Sequence, residues 1–422
     1  MTLVQQGQRT RGAAQRVALL PLPPMYRPWH RWRARALRER QLRSLQDYAW
    51  RFQDVCAGIG GLGSPDGDRS MPRVLQVQHE QDATVLNVQV AVHVLPRDFL
   101  QHTARITTAM GCLGLRVERF APGQLLVELL NADPLREVVP LPGEPLWSVN
   151  EPLYLGQDET GYRHQITPAG LVHLIVQGAT GSGKSVFTYG LLAQLCRIPE
   201  VLIAMSDPTG LLCRPFAGTV HEAWHESAPD DPDAHIALLR RLVDTMDQRI
   251  RTLPPRRDQV EISESCPLVV VVLEEYPGLI RAAAQVDAQN NKKAGGKVEQ
   301  IKGLVGRLAA ESRKAGMRLV ILAQRAEASI LDSYTRGQMT VKLSFRVADP
   351  ASIEMLHPTG REQAEEHASS PAGVALLSGP GVKLKRIKTP WIGRADDGEA
   401  EYAAYWDTVS RYAARLPQEL PE

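Results

Sequence analysis

The feature that most constrains this 422-residue chain is the run Gly178-Ala179-Thr180-Gly181-Ser182-Gly183-Lys184-Ser185. It lies between the apolar stretch Leu171–Val176 and a stretch, Val186–Cys196, that reads as a helix. Glycines at 178, 181 and 183 let the backbone wrap closely, and a helix opening at the end of such a loop aims its free N–H groups at whatever the loop encloses. Phosphate suits those donors. Lys184 would reach the β and γ phosphates of a nucleotide, and the Ser185 hydroxyl would ligate Mg²⁺. The loop from Gly178 to Val186 is therefore the expected seat of ATP and its Mg²⁺.

Such a loop needs an acidic residue at the end of a neighbouring strand, to hold the Mg²⁺ shell and orient an attacking water. The run Leu268–Leu273 followed by Glu274-Glu275 meets that need. Glu274 stands where an Asp is usual and reaches the metal through its longer side chain. Glu275 is the better candidate to activate water. Gln324, directly after the apolar run Leu319–Ala323, is placed to sense the γ phosphate. Read blandly, each of these polar residues only caps a strand; it is the loop upstream that gives them a shared purpose.

The apolar runs at 171–176, 201–205, 268–273 and 319–323 alternate with helical segments, which predicts a parallel central sheet covered on both faces in an α/β fold. Ahead of it, period-two apolar character in Val74, Leu75, Val77, Val85, Leu86, Val88, Val90 and Val92 precedes a helix at 97–111 and strands at 114–120 and 124–130. This predicts a small α+β domain. The domain reading is a basic tail, helix and linker over 1–73, the small domain over 74–150, the phosphate-loop domain over 151–390, and a C-terminal helix and tail over 391–422.

The formal net charge of +2 names no partner, but its distribution is uneven. Arg27, Arg31, Arg33, Arg35, Arg38, Arg40, Arg43 and Arg51 crowd a stretch whose only acids are Glu39 and Asp47. With Leu37, Leu42, Leu45 and Trp50 near helical spacing, residues 29–53 read as a basic amphipathic helix. Its partner is open between nucleic acid, an anionic membrane surface and a docked protein. The 5 cysteines form no CxxC pair, which fits structural thiols in a reducing compartment and argues against zinc. There is no signal-peptide pattern and no long uncharged apolar run, so the expectation is a cytoplasmic protein, with peripheral attachment to a membrane left open.

Taken with the loop, Ser206-Asp-Pro-Thr-Gly210, Val269–Gly278 and Arg313–Arg325 resemble the FtsK/SpoIIIE family of DNA-pumping ATPases, in order and spacing, across about 168 to 378. Val341–Ala348 followed by Asp349-Pro-Ala-Ser-Ile-Glu resembles that family's strand, Arg-Val and polar turn. The resemblance implies a RecA-like P-loop NTPase motor that forms a homo-hexamer, hydrolyses ATP between subunits and draws double-stranded DNA through its pore. It also implies a trans-acting arginine finger, for which Arg346 and Arg325 are the candidates. Asn290–Lys297 is a candidate basic loop for the pore, with a solvated insertion between helices as the plainer reading.

The short stretch after the matching region leaves little room for a winged-helix DNA reader. A single motor behind a small α+β domain and a basic N-terminal segment is similar to the plasmid-transfer and integrative-element pumps of mycelial actinobacteria. That implies a DNA translocase for transfer, with a membrane-bound transfer protein as a further partner. Two alternatives stand beside it: a type VII secretion-like motor, and an ATP-switched DNA-binding replication or partition factor.

Overall fold

A computed structural model describes residues 45–60, 62, 71–79, 83–91, 94–133, 135–143, 146–159, 161–229, 231–291, 295–326, 331–347, 349–358, 364, 367–393 and 400–413. Contacts divide the chain between Ala132 and Asp133 into two compact units.

The first unit opens on α1, helical over 45–57, and continues with β1 (Arg73–His79), β2 (Ala83–Gln89), α2 (Pro96–Leu100), α3 (Thr103–Met110), β3 (Gly114–Ala121) and β4 (Gln124–Leu130). The strands form an antiparallel sheet in the order β1-β2-β4-β3. Alternate residues Leu86, Val88, Leu125, Val127 and Leu129 point into one core, where α1 contributes Phe52 and Cys56. Two expectations change here. The helix expected at 97–111 is two helices, because the backbone breaks at residues 101–102. The face of α1 is also different: Trp50 is 76% exposed, whereas Phe52 is fully buried. The described part of that helix is therefore core of the small unit, and residues 29–44 lie outside the described residues.

The second unit starts earlier than the boundary at 150 expected from the sequence, because β5 (Val139–Pro140) pairs with β16 (Pro390–Trp391) far along the chain. Its main sheet has ten strands in the order β10-β9-β11-β12-β8-β13-β14-β15-β6-β7. These are β6 (Leu153–Asp158), β7 (Arg163–Ile166), β8 (His173–Gln177), β9 (Val201–Ser206), β10 (His225–Glu226), β11 (Leu268–Leu273), β12 (Met317–Ala323), β13 (Val341–Phe345), β14 (Val374–Gly379) and β15 (Val382–Lys388).

From β10 to β13 every pairing is parallel, as the buried apolar runs require. From β13 onward every pairing is antiparallel. The sheet is thus mixed, a correction to the all-parallel expectation. Its cause is local: β14 and β15 are joined only by Pro380-Gly381, and so short a link cannot return a strand in the same direction. Gly381 takes the positive φ, 72°, that the turn demands.

Both faces of the parallel half are covered. Val201, Ile203 and Met205 of β9 and Leu268, Val270 and Val272 of β11 face one core, with α4 (Lys184–Leu195) and α10 (Glu401–Tyr412). Leu202 and Ala204, with Val269, Val271 and Leu273, face the other, under α5 (Pro232–Arg251), α6 (Tyr276–Gln289) and α7 (Lys297–Glu311). α10, assigned from the sequence to a separate C-terminal segment, belongs to this core: Tyr405 is fully buried and stacks on Tyr189 of α4. Two further helices are α8 (Ser333–Gln338) and α9 (Pro350–Leu356); α9 begins where a polar turn was expected, capped by the Asp349 carboxylate on Ala351 N.

Candidate nucleotide site

The strand order decides which residues can meet. β12 separates β8 from β11, so the acids that follow β11 stand one strand away from the loop that follows β8. That spacing leaves a gap at the strand ends wide enough for a ligand, and a cavity of about 460 Å³ lies there. Gly178, Ala179, Thr180, Gly181, Gly183, Lys184, Ser185, Val186, Glu274, Glu275 and Gln324 all line it. Residues from three separate stretches of sequence are therefore brought together. Ser182 is fully buried beneath the loop instead, and Arg325 and Arg346 are outside the lining.

The loop is held by its neighbours on both sides. Gly178 N donates to Ala323 O (3.2 Å), Ala179 N to Arg346 O (2.9 Å), and Gly373 N to Ser182 O (2.9 Å). A side chain at Gly178 would place Cβ 2.6 Å from Ser182 Oγ and 2.7 Å from Phe345 Cβ. Gly183 caps α4 with φ 106°, and a Cβ there would meet Gly373 N at 2.6 Å. Close approach requires glycine at 178, and close approach together with a left-handed backbone requires it at 183.

Below the loop, Gln177 ties three elements. Its Nε2 donates to Ser344 Oγ (2.9 Å) and Ser352 O (2.9 Å), while its Oε1 accepts from Ala326 N (3.1 Å). Ser344 Oγ in turn meets His357 Nε2 at 2.9 Å, and the Ser344 carbonyl accepts from His367 Nε2 at 2.8 Å. Burial keeps both histidines neutral, with pKa values lowered to about 3 and about 4.

The electrostatics of the cavity are unbalanced. Lys184 is the first residue of α4, whose first turn holds no acid, and a cation at a helix N-terminus is disfavoured by the helix dipole. It is offset by Glu275, whose Oε2 lies 3.3 Å from Lys184 Nζ. Glu275 itself has φ 45°, a left-handed conformation that costs a non-glycine residue about 1–2 kcal/mol. Such strain is characteristic of functional sites. Beside it, burial raises the Glu274 carboxyl to about 7; Lys184 opposes that rise, while the charges of Asp207 and Glu275 add to it.

Glu274 Oε2, Glu275 Oε1 and Ser182 Oγ are buried with no hydrogen-bond partner. Two carboxylate oxygens without a hydrogen bond, of which Glu275 Oε1 stands 3.8 Å from Arg281 Nη2, lie in one cavity with the Ser185 hydroxyl and a loop of N–H groups and fit a hard cation accompanied by phosphate. Among the described residues no group of three or more His, Cys, Asp or Glu could hold a metal alone. A cation here would take part of its shell from phosphate and water.

Three lining residues had no role in the sequence reading: Thr209, Ala372 and Glu401. Thr209 is presented by Asp207, which is fully buried and accepts from Thr209 N (3.0 Å), Thr209 Oγ1 (2.7 Å) and Leu212 N (2.7 Å). An Asp-Pro-Thr-Gly run directly after an apolar strand was the available signal. Ala372 and Glu401 carry none, since only the fold brings them here. Of the candidate fingers, Arg346 follows β13 and donates from Nη1 to Ser370 O (3.4 Å), while Arg325 is exposed after Gln324. Within the candidate pore loop, residues 292–294 lie outside the described residues.

A glycine-rich loop between strand and helix, facing carboxylates one strand removed, is the arrangement of a P-loop nucleotide site. Residues 147–261 match the model of the FtsK/SpoIIIE family. The chain is 23% identical over 380 residues to the DNA translocase FtsK of Listeria monocytogenes, covering 83% of this chain and 47% of that protein. It is 25% identical over 347 residues to the transfer protein TraSA of Streptomyces ambofaciens, covering 77% of this chain and 80% of that one. The chain thus spans about half the length, or less, of the FtsK translocases it matches. In fold it is similar to the monomer form of the pCW3 conjugation coupling protein TcpA with ATPγS, with a TM-score of 0.52 at 18% identity over 85% of this chain and 98% of that one.

Proposed function

We propose that this chain is an ATP-driven double-stranded DNA translocase with a RecA-like motor domain, acting as a homo-hexamer in the transfer of a plasmid or integrative element. One observation carries the reading: Lys184, Ser185, Glu274, Glu275 and Gln324, from three strand ends, converge on one cavity in a chain whose residues 147–261 match the FtsK/SpoIIIE family model. The relatives named as DNA translocases and as a transfer protein support the substrate. Among the described residues no helix is long and apolar enough to cross a membrane; a membrane-bound transfer protein is a further partner in this reading.

In this reading the loop N–H groups hold the phosphates, and Lys184 leaves Glu275 for the β and γ phosphates. Ser185 and Glu274 would hold Mg²⁺, which supplies charge neutralisation on the phosphates. Losing its lysine, Glu275 keeps only Arg281, 3.8 Å from its Oε1, and its Oε2 can orient water and take its proton. Gln324 contacts the γ phosphate at the end of β12. Arg346 or Arg325 serves a neighbouring subunit's site, where a cation opposes the charge of the transferring phosphoryl group.

The decisive measurement is the ATPase rate with and without double-stranded DNA, for the native chain and Lys184→Ala. Stimulation by DNA, lost with Lys184, is expected. A Lys184-dependent activity indifferent to DNA would remove the translocase reading and leave an ATPase of another purpose.

A further inference from the structure

Glu401 is the first residue of α10, a 12-residue helix more than 200 positions from the phosphate loop, yet it lines the same cavity. α10 packs along α4: the rings of Tyr402 and Tyr405 lie 5.6 and 5.0 Å from that of Tyr189. Tyr402 and Tyr405 also donate to the carbonyls of Leu211 (2.9 Å) and Leu212 (2.8 Å), which fixes the helix over the turn that presents Thr209. The Glu401 carboxylate is oriented in its turn, because Oε1 accepts from Trp391 Nε1 at 3.1 Å.

The cavity lining divides by chemistry. Lys184, the loop N–H groups, Glu274, Glu275 and Gln324 account for the terminal phosphates and the water that attacks them. Glu401 takes no part in that set, and as an oriented carboxylate it is suited to a part of the ligand that donates hydrogen bonds. The nucleotide's sugar would then fill a part of the cavity not taken by its phosphates, and Glu401, set beside α4 by the contacts of Tyr402 and Tyr405 with Tyr189, is the lining carboxylate that no phosphate or metal role accounts for. Vicinal hydroxyls are the donors that a carboxylate oxygen reads well, as acidic residues do for ribose in dinucleotide folds.

We propose that Glu401 accepts hydrogen bonds from the ribose hydroxyls of the nucleotide, so that the C-terminal helix selects ribonucleotides over 2′-deoxyribonucleotides. The inference rests on the nucleotide reading of the cavity. It gives α10 a role in substrate choice beyond covering the sheet.

The experiment compares equilibrium binding of ATP and 2′-deoxy-ATP to the full chain and to Glu401→Ala, Glu401→Gln and Lys184→Ala, with thermal melts to verify folding. The native chain should bind ATP about ten- to one-hundredfold more tightly, the range expected for a hydrogen bond to a charged group. Glu401→Ala should weaken ATP alone and bring the two affinities together, whereas Glu401→Gln, which keeps an acceptor oxygen, should retain part of the preference. A residue with only a structural role would weaken both nucleotides equally, so 2′-deoxy-ATP is the internal control. Equal affinities in the native chain, or a preference unchanged in Glu401→Ala, would overturn the ribose assignment and leave the phosphate loop standing. No Lys184-dependent binding of either nucleotide would overturn the nucleotide reading and this proposal with it.

Discussion

The two halves of the ten-stranded sheet do different work although they form one hydrogen-bonded surface. In the parallel half, β8, β9, β11 and β12 all end on the same edge, and the residues just past those ends are the loop, Asp207, Glu274 with Glu275, and Gln324. In the antiparallel half, strand ends alternate between edges, so few side chains can converge; it offers backbone instead. Gly373, before β14, clamps the loop through Ser182 O and accepts from Thr389 N at 2.8 Å. Parallel strands gather chemistry on one edge, and antiparallel ones brace it.

The largest effect should come from the parallel half. Glu275→Gln keeps the size of the side chain but removes the proton acceptor, so single-turnover hydrolysis should fall at least about a hundredfold while ATP still binds. Full turnover in that variant would mean that water is activated elsewhere and that the strained Glu275 serves only to hold Lys184.

A smaller, different effect is expected from the bracing half. Gly373 has φ 77°, so Gly373→Ala adds left-handed strain of about 1–2 kcal/mol beneath the loop. ATP affinity measured by titration should drop roughly tenfold, with the rate of bound nucleotide little changed. An effect on rate alone would break the division of labour between the halves.

Gln177 joins the halves, since its bonds reach Ser344 on β13 and Ala326 after β12. Gln177→Ala strands buried polar partners and should lower unfolding free energy by about 1–3 kcal/mol in urea titrations. An unchanged midpoint would show that water replaces the amide.

The smallest effect concerns Glu274. Its folded-state pKa, raised to about 7 by burial, exceeds the ordinary carboxylate value, so the folded chain favours the protonated form. Its contribution to stability is complete below the unfolded pKa and is lost as pH rises through about 7. Glu274→Gln should therefore melt higher than the native chain at pH 8 and the difference should vanish below pH 4; a constant offset across that range would assign the effect to packing.

Much of the parallel half was legible because its signals are local. Four apolar runs predicted strands, and the quoted motifs lie just after them: the loop from Gly178, the Ser206–Gly210 run that resembles the family, Glu274 with Glu275, and Gln324. The antiparallel half was not. β6 and β7 lie outside the four apolar runs, in a stretch where Gly156 and Gly161 both take positive φ and the alternation is short. The face of α1 was misjudged for a related reason: Trp50 fits the helical spacing as well as Phe52 does, and only packing against Phe99, 6.3 Å away between rings, selects Phe52.

By itself, then, the sequence determined the loop and its helix, the acids at a strand end and the family resemblance, because each depends on residues adjacent in the chain. The tertiary structure alone decided that β12 lies between β8 and β11, that Gly373 clamps the loop, and that Glu401 reaches the cavity. Those depend on contacts between residues far apart in the chain, and no local spacing records which distant backbone will fold back against a given strand.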